Sequence, residues 1–169
     1  GSANMSDIFE TAAVRASGLK ADHPLAAALL GRDDILTMTQ QAHDAALTPD
    51  EPGGLSHGER AALCCRMARL NREEGLAAHF LALMAGAPAA TAQLADPGFD
   101  GGNDARLAAI LRHTDLVTTD AKGVVAGDIA ALKDAGVSED DIVRLSELVA
   151  FISYQIRLTI GLRLMGETI

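Results

Sequence analysis

Leu70-Asn71-Arg72-Glu73-Glu74-Gly75-Leu76-Ala77-Ala78-His79-Phe80 is the stretch on which the fold turns. It joins two helical patterns. Upstream, Leu63, Met67 and Leu70 recur at the spacing of one helix face. That helix opens at Ser56-His57-Gly58-Glu59, a capping box in which the serine accepts from the amide three residues on and the glutamate reaches back. Downstream, a second helix is expected from Glu74 to Ala85, stopped near Gly86-Ala87-Pro88. Glu73 and Glu74 suit its start, because acids are favoured at the positive end of the helix dipole.

The same reading extends outward. Asp7 to Ser17 has a helical pattern ended by Gly18, and His23-Pro24 starts another piece. Asp33 or Asp34 caps a helix running to about Leu47, and Thr48 to Gly54 is the clearest loop. A short helix covers Ala89 to Ala95, before the breaker cluster Asp96 to Gly102. Asp104 caps a helix holding Leu107, Ile110, Leu111 and Val117. A short helix then runs through Lys133 to its stop at Gly136. Ser138-x-x-Asp141 opens the longest helix, whose Ile142, Leu145, Val149, Ile152, Ile156 and Ile160 spread around the barrel. Burial on more than one side follows, and one side suits a subunit interface. No run alternates as a strand would. Alanine and leucine dominate a chain that is 49% hydrophobic and 3% aromatic, with no tryptophan. The expectation is all-α.

The net charge of −9 disfavours nucleic acid and anionic membrane surfaces as partners. No apolar run is expected to reach the ~20 residues of a membrane span. Gly1-Ser2-Ala3-Asn4 before Met5 reads as a remnant of expression, and no signal-peptide pattern follows, so the expected location is cytoplasmic. Cys64 and Cys65 are the two cysteines. Adjacent in sequence, they make no disulfide framework. About 100° apart on a helix, they are expected to put at most one thiol inward. His23, His43, His57 and His113 share no metal-ligand spacing, so no metal and no cofactor is expected.

The opening stretch closely resembles the active-site segment of the alkylhydroperoxidase AhpD / carboxymuconolactone decarboxylase (CMD) family. There, a Leu-Asn pair leads into Cys-x-x-Cys, and Leu-Ala-Ala-His follows. In this chain the frame is present without the thiols. Counting back from His79, the cysteine slots hold Arg72 and Gly75. Counting forward from Leu70-Asn71, the first falls on Glu73. Further similarity lies in Leu55-Ser56-x-x-Glu59-Arg60, in Asp104-x-Arg106-Leu107-Ala108-Ala109-x-Leu111, in Asp128 to Ile142, and in Phe151 to Leu158. It covers about residues 55 to 165.

The resemblance implies an AhpD-like helical bundle over 55–169, with residues 5–54 as an N-terminal helical extension. It implies homo-oligomers, as dimers, trimers or hexamers, and a possible paralogous AhpD-like partner. In the family, the thiol pair cycles between dithiol and disulfide while a histidine and an upstream glutamate move protons. Carried over, His79 is the relay histidine, and Glu59 lies near the relay glutamate, although its capping box also accounts for it. Cys64 and Cys65 are candidates for displaced redox thiols or for core packing. Arg72 is a candidate anchor for an anionic ligand, or part of a solvated helix start. Three functions follow as expectations. The first is an AhpD-like protein that has lost two-cysteine peroxidase activity and serves as a binding or assembly subunit. The second is a cofactor-free decarboxylase or isomerase using His79, with Arg72 or another arginine holding a carboxylate. The third is a thiol antioxidant enzyme using Cys64 and Cys65.

Overall fold

The structure is a computed structural model that describes residues 8–167. Among these the chain is all helical, with no strands. The α-helices are α1 (Ala12–Ser17), α2 (Ala26–Leu30), α3 (Asp33–Leu47), α4 (His57–Leu70), α5 (Glu74–Leu83), α6 (Ala89–Ala92), α7 (Ala105–Thr119), α8 (Ala126–Asp134) and α9 (Glu139–Glu167). Single 3-10 turns follow α6 and α7.

Helix α4 is the hub. Its capping box is present: Ser56 Oγ accepts from Glu59 N at 3.1 Å, and Glu59 Oε1 accepts from Ser56 N at 3.3 Å. It packs on α3, α5, α6, α7 and α9, so every residue from Arg60 to Ala68 is buried. Both cysteines therefore point into protein, which corrects the expectation that only one would. A helix surrounded on all sides has no outward face for the second thiol.

Two buried arginines on α4 tie loops to this hub. Arg60 donates to the carbonyls of Leu55 (2.8 Å), Ala46 (3.0 Å) and Pro52 (2.8 Å), which fixes the end of α3 and the following loop. Arg66 donates to Asp115 at 2.6 and 2.7 Å and to the carbonyls of Asp96 and Phe99 at 2.8 and 2.9 Å. Backbone oxygens that the breaker clusters leave unpaired find their donors there.

Helix α9 spans both hydrophobic cores. Leu145, Leu148, Val149, Ile152 and Ile156 enter the main core around α4 and α5. Leu162 enters a second core with Val14, Leu19, Leu29 and Leu36. At 29 residues, about 43 Å long, α9 is long and apolar enough to cross a membrane by length and composition. That corrects the expectation that no run reaches such a length. Part of that apolar content lines the two cores in turn. Val143, Tyr154, Ile160 and Leu164 remain exposed on it.

The N-terminal helices depart most from expectation. Asp7 lies outside the described residues; Ile8 and Phe9 are helical, and the helix breaks at Glu10 and Thr11 before α1 begins at Ala12, because Thr11 is extended (φ −65°, ψ 148°) and its hydroxyl donates to Ile8 O at 2.7 Å. Helix α3 starts from Arg32, which places Asp33 and Asp34 inside its first turn rather than at the cap. Helix α1 packs against both α5 and α9. Helices α1 and α3, within the stretch read as an extension, thus contribute walls to the region around His79.

Candidate functional site

The three residues at the junction between α4 and α5 that the sequence resemblance aligns with thiols sit in three different environments. Arg72 is exposed in the left-handed conformation, with φ 54°. Glu73 is buried; its Oε2 accepts from Leu76 N at 2.6 Å, capping α5, and its Oε1 pairs with Arg163 of α9. Gly75 lies against α1, where an added Cβ would collide with the Ala16 carbonyl oxygen and meet Ala16 C and Cα at 3.0 Å. Neither an exposed turn nor a close backbone crossing resembles the start of a helix that aims two thiols the same way.

One turn further along α5, His79 lines a groove of about 520 Å³ with Ala12, Arg15 and Ala16 of α1 and Gly75, Ala78 and Ala82 of α5. Its Nε2 lies 2.9 Å from Nε2 of His43 on α3. His43 is buried, and its Nδ1 lies 2.8 Å from Asp44 Oδ1. Gln40, one turn earlier, donates to Asp44 Oδ1 at 3.0 Å and accepts from Ala12 N at 2.9 Å. Phe80 stacks on the His43 ring, with centroids 6.1 Å apart and planes 17° apart. Burial first, then the His43 ring and the Arg15 guanidinium, push the His79 imidazole from 6.5 down to about 4. His79 is therefore neutral at neutral pH. Its Nδ1 hydrogen-bonds to nothing among the described residues.

The chain matches no protein-family model, no curated protein and no solved structure.

The other candidates lie away from this groove. Glu59, besides its capping box, pairs with Arg106 at 3.3 Å. Cys64 and Cys65 are fully buried, and the Cys65 thiol donates to Ala77 O at 3.5 Å. Burial raises both thiols, and the neighbouring Cys65 adds to the rise at Cys64. Arg72 is not among the groove residues; the arginine that lines it is Arg15. His23 and His57 bond to backbone carbonyls, at Gly166 O (3.2 Å) and Pro49 O (2.8 Å). Among the described residues, no three His, Cys, Asp or Glu side chains converge as a metal site would require.

The sequence points to His79 as an acid–base residue and gives no such role to His43, Asp44, Gln40 or Arg15. One signal was available. Leu36, Thr39, His43 and Leu47 are the buried face of α3, spaced three and four residues apart. A histidine at that spacing needs a polar partner inside the fold. Chemically, the groove holds a neutral imidazole with one nitrogen engaged and one unpartnered, beside a guanidinium. It can accept a proton and hold an anion.

Proposed function

We propose that the chain is an AhpD-like, CMD-domain protein whose groove carries out cofactor-free acid–base chemistry on a small carboxylate, in the manner of carboxymuconolactone decarboxylases, and that it lacks two-cysteine peroxidase activity. The observation that carries this reading is the neutral His79 on a groove shared with Arg15. Decarboxylation or isomerisation of a carboxylate needs a cation to hold the acid and a group that moves a proton at the adjacent carbon. The groove offers one of each. A thiol cycle needs an accessible thiolate and a resolving partner. Cys64 and Cys65 are sealed in the core, and the slots at Arg72, Glu73 and Gly75 hold no sulfur.

Binding tests the reading directly. Small lactone and β-keto carboxylates titrated into the protein shift the His79 ring resonances, and Arg15→Gln weakens binding about tenfold, the ~1.4 kcal/mol scale of a charge-assisted contact. Absence of a response across both classes, in the wild-type protein, overturns it.

A second reading, a binding or assembly subunit acting as a homo-oligomer or beside a paralogous AhpD-like chain, draws support from the exposed apolar side chains. Tyr154, Ile160 and Leu164 on α9 and Ile35 and Met38 on α3 are uncovered in the single chain. Sedimentation that finds only monomers at high concentration rules out the homo-oligomer.

A further inference from the structure

We infer that Asp44, His43 and His79 form a proton relay in which His79 Nδ1 is the reacting nitrogen and His43 and Asp44 are positioning residues. The inference rests on the acid–base reading of the groove and names the atom through which that chemistry passes.

The geometry around His43, together with what a relay requires, sets the proton positions. Two imidazole nitrogens 2.9 Å apart must share a proton, since two lone pairs at that distance repel. Either histidine can supply it. The choice is made at the far side of His43, where Nδ1 lies 2.8 Å from Asp44 Oδ1. An ionised carboxylate is acceptor-only, so His43 Nδ1 must carry a hydrogen. Gln40 Nε2 also lies 3.3 Å from that nitrogen, but the contact is longer, and the amide already donates to Asp44 Oδ1 at 3.0 Å. The relay starts with a single ring hydrogen on His43, the one on Nδ1, which leaves its Nε2 bare to receive a proton. The bridging proton therefore belongs to His79 Nε2. A neutral His79 likewise has one, so its Nδ1 is bare.

The relay then balances. The substrate's C–H bond breaks, its electron pair stays on the substrate, and the proton bonds to His79 Nδ1. The Nε2–H bond of His79 breaks in turn, and that proton bonds to His43 Nε2. The positive charge comes to rest on His43, whose other nitrogen faces the Asp44 carboxylate, rather than on His79 near Arg15. The reverse sequence returns a proton to the product. The groups facing the pair are Arg15 from α1, Asp44 and Gln40 from α3, and Phe80 from α5. Gln40 also receives the Ala12 amide, so the element that orients Asp44 is tied to the groove wall. The arrangement follows the logic of a carboxylate–imidazole pair orienting a third group, with an imidazole in the third place.

Nitrogen-15 NMR of the full chain at neutral pH tests the assignment without a substrate. The expected spectrum shows scalar coupling across the hydrogen bond between the two Nε2 atoms, the bridging hydrogen bonded to His79, and a bare-nitrogen shift for His79 Nδ1. Asp44→Ala, at a mostly exposed side chain (63%), removes the acceptor that fixes the His43 tautomer. The His79 Nδ1 signal then moves toward the averaged position, and Asp44→Glu restores it. A hydrogen on His79 Nδ1 in the wild-type protein, or no change in Asp44→Ala, overturns the relay. The relay and the proposed function fail separately. The expected tautomer with no carboxylate bound sinks the function and leaves the relay standing. Carboxylate binding with the reverse tautomer sinks the relay and leaves the function standing.

Discussion

Gly75→Ala should destabilise the protein although it replaces the poorest non-proline helix former with the best. Within α5 the exchange alone should add about 1 kcal/mol of stability. Against this stands the backbone of Ala16, whose carbonyl oxygen occupies the site of the new Cβ, with C and Cα at 3.0 Å. A flexible side chain would move aside, but a helix backbone must shift as a unit. The Ala16 carbonyl also accepts from Arg163 at 2.6 Å, so displacing α1 strains that bond too. Overpacking of this kind costs about 1–3 kcal/mol. The net is about 0–2 kcal/mol of destabilisation, or up to roughly 4–8 °C in Tm for a chain of this size. Gly161 of α9 is the internal control, since nothing lies within 4 Å of its added Cβ. Gly161→Ala should stabilise by up to about 1 kcal/mol. Urea unfolding of both variants reads the difference. Gly75→Ala that gains the full ~1 kcal/mol of helix propensity refutes the close crossing of α1 over α5.

Other consequences are open to measurement. Glu73→Ala removes the cap on α5 and leaves the buried Leu76 amide unpaired; a loss of about 1–3 kcal/mol is expected in urea unfolding, with Glu73→Gln retaining part of it. His79 is held down near 4 against an ordinary 6.5, so the unfolded chain binds more protons between those values. Its contribution to stability is therefore complete above about pH 6.5 and is lost as pH falls toward 4. Discounted for its partial exposure, that is about 1–2 kcal/mol, and His79→Gln should flatten the stability profile in that window alone. The Cys64 and Cys65 thiols should resist Ellman's reagent in the native protein and react fully in denaturant. Rapid native labelling would show that one of them is reachable.

The helices with local signals were legible in the sequence. Ser56 and Glu59 carry both halves of a capping box within four residues, and Asp104 caps α7 by accepting from Leu107 N at 3.0 Å. The N-terminal helices were not. The interruption at Thr11 comes from a short-range hydroxyl bond that competes with the helix, which apolar spacing does not reveal. The site was legible only in part. His79 stood out in its frame, but its partner is 36 residues away on another helix, and no local pattern joins the two. Arg15 could not be chosen over Arg72, because the choice depends on how α1 crosses α5. The crossing itself left a trace at Gly75, where a glycine in a helix otherwise rich in alanine and leucine marks a close backbone approach.

The central claim is that the groove around His79 moves a proton on a bound carboxylate. Deuterium uptake at the carbon beside the carboxyl group of a small lactone or β-keto acid, followed by NMR in heavy water, tests it most directly. The wild-type chain should exchange that hydrogen at least a hundredfold faster than buffer, on the scale of about 10²–10⁴ for a positioned general base. His79→Gln should return the rate to background, while Cys64→Ser and Cys65→Ser leave it unchanged. Exchange that survives in His79→Gln, or a wild-type rate equal to buffer for every such acid, contradicts the account.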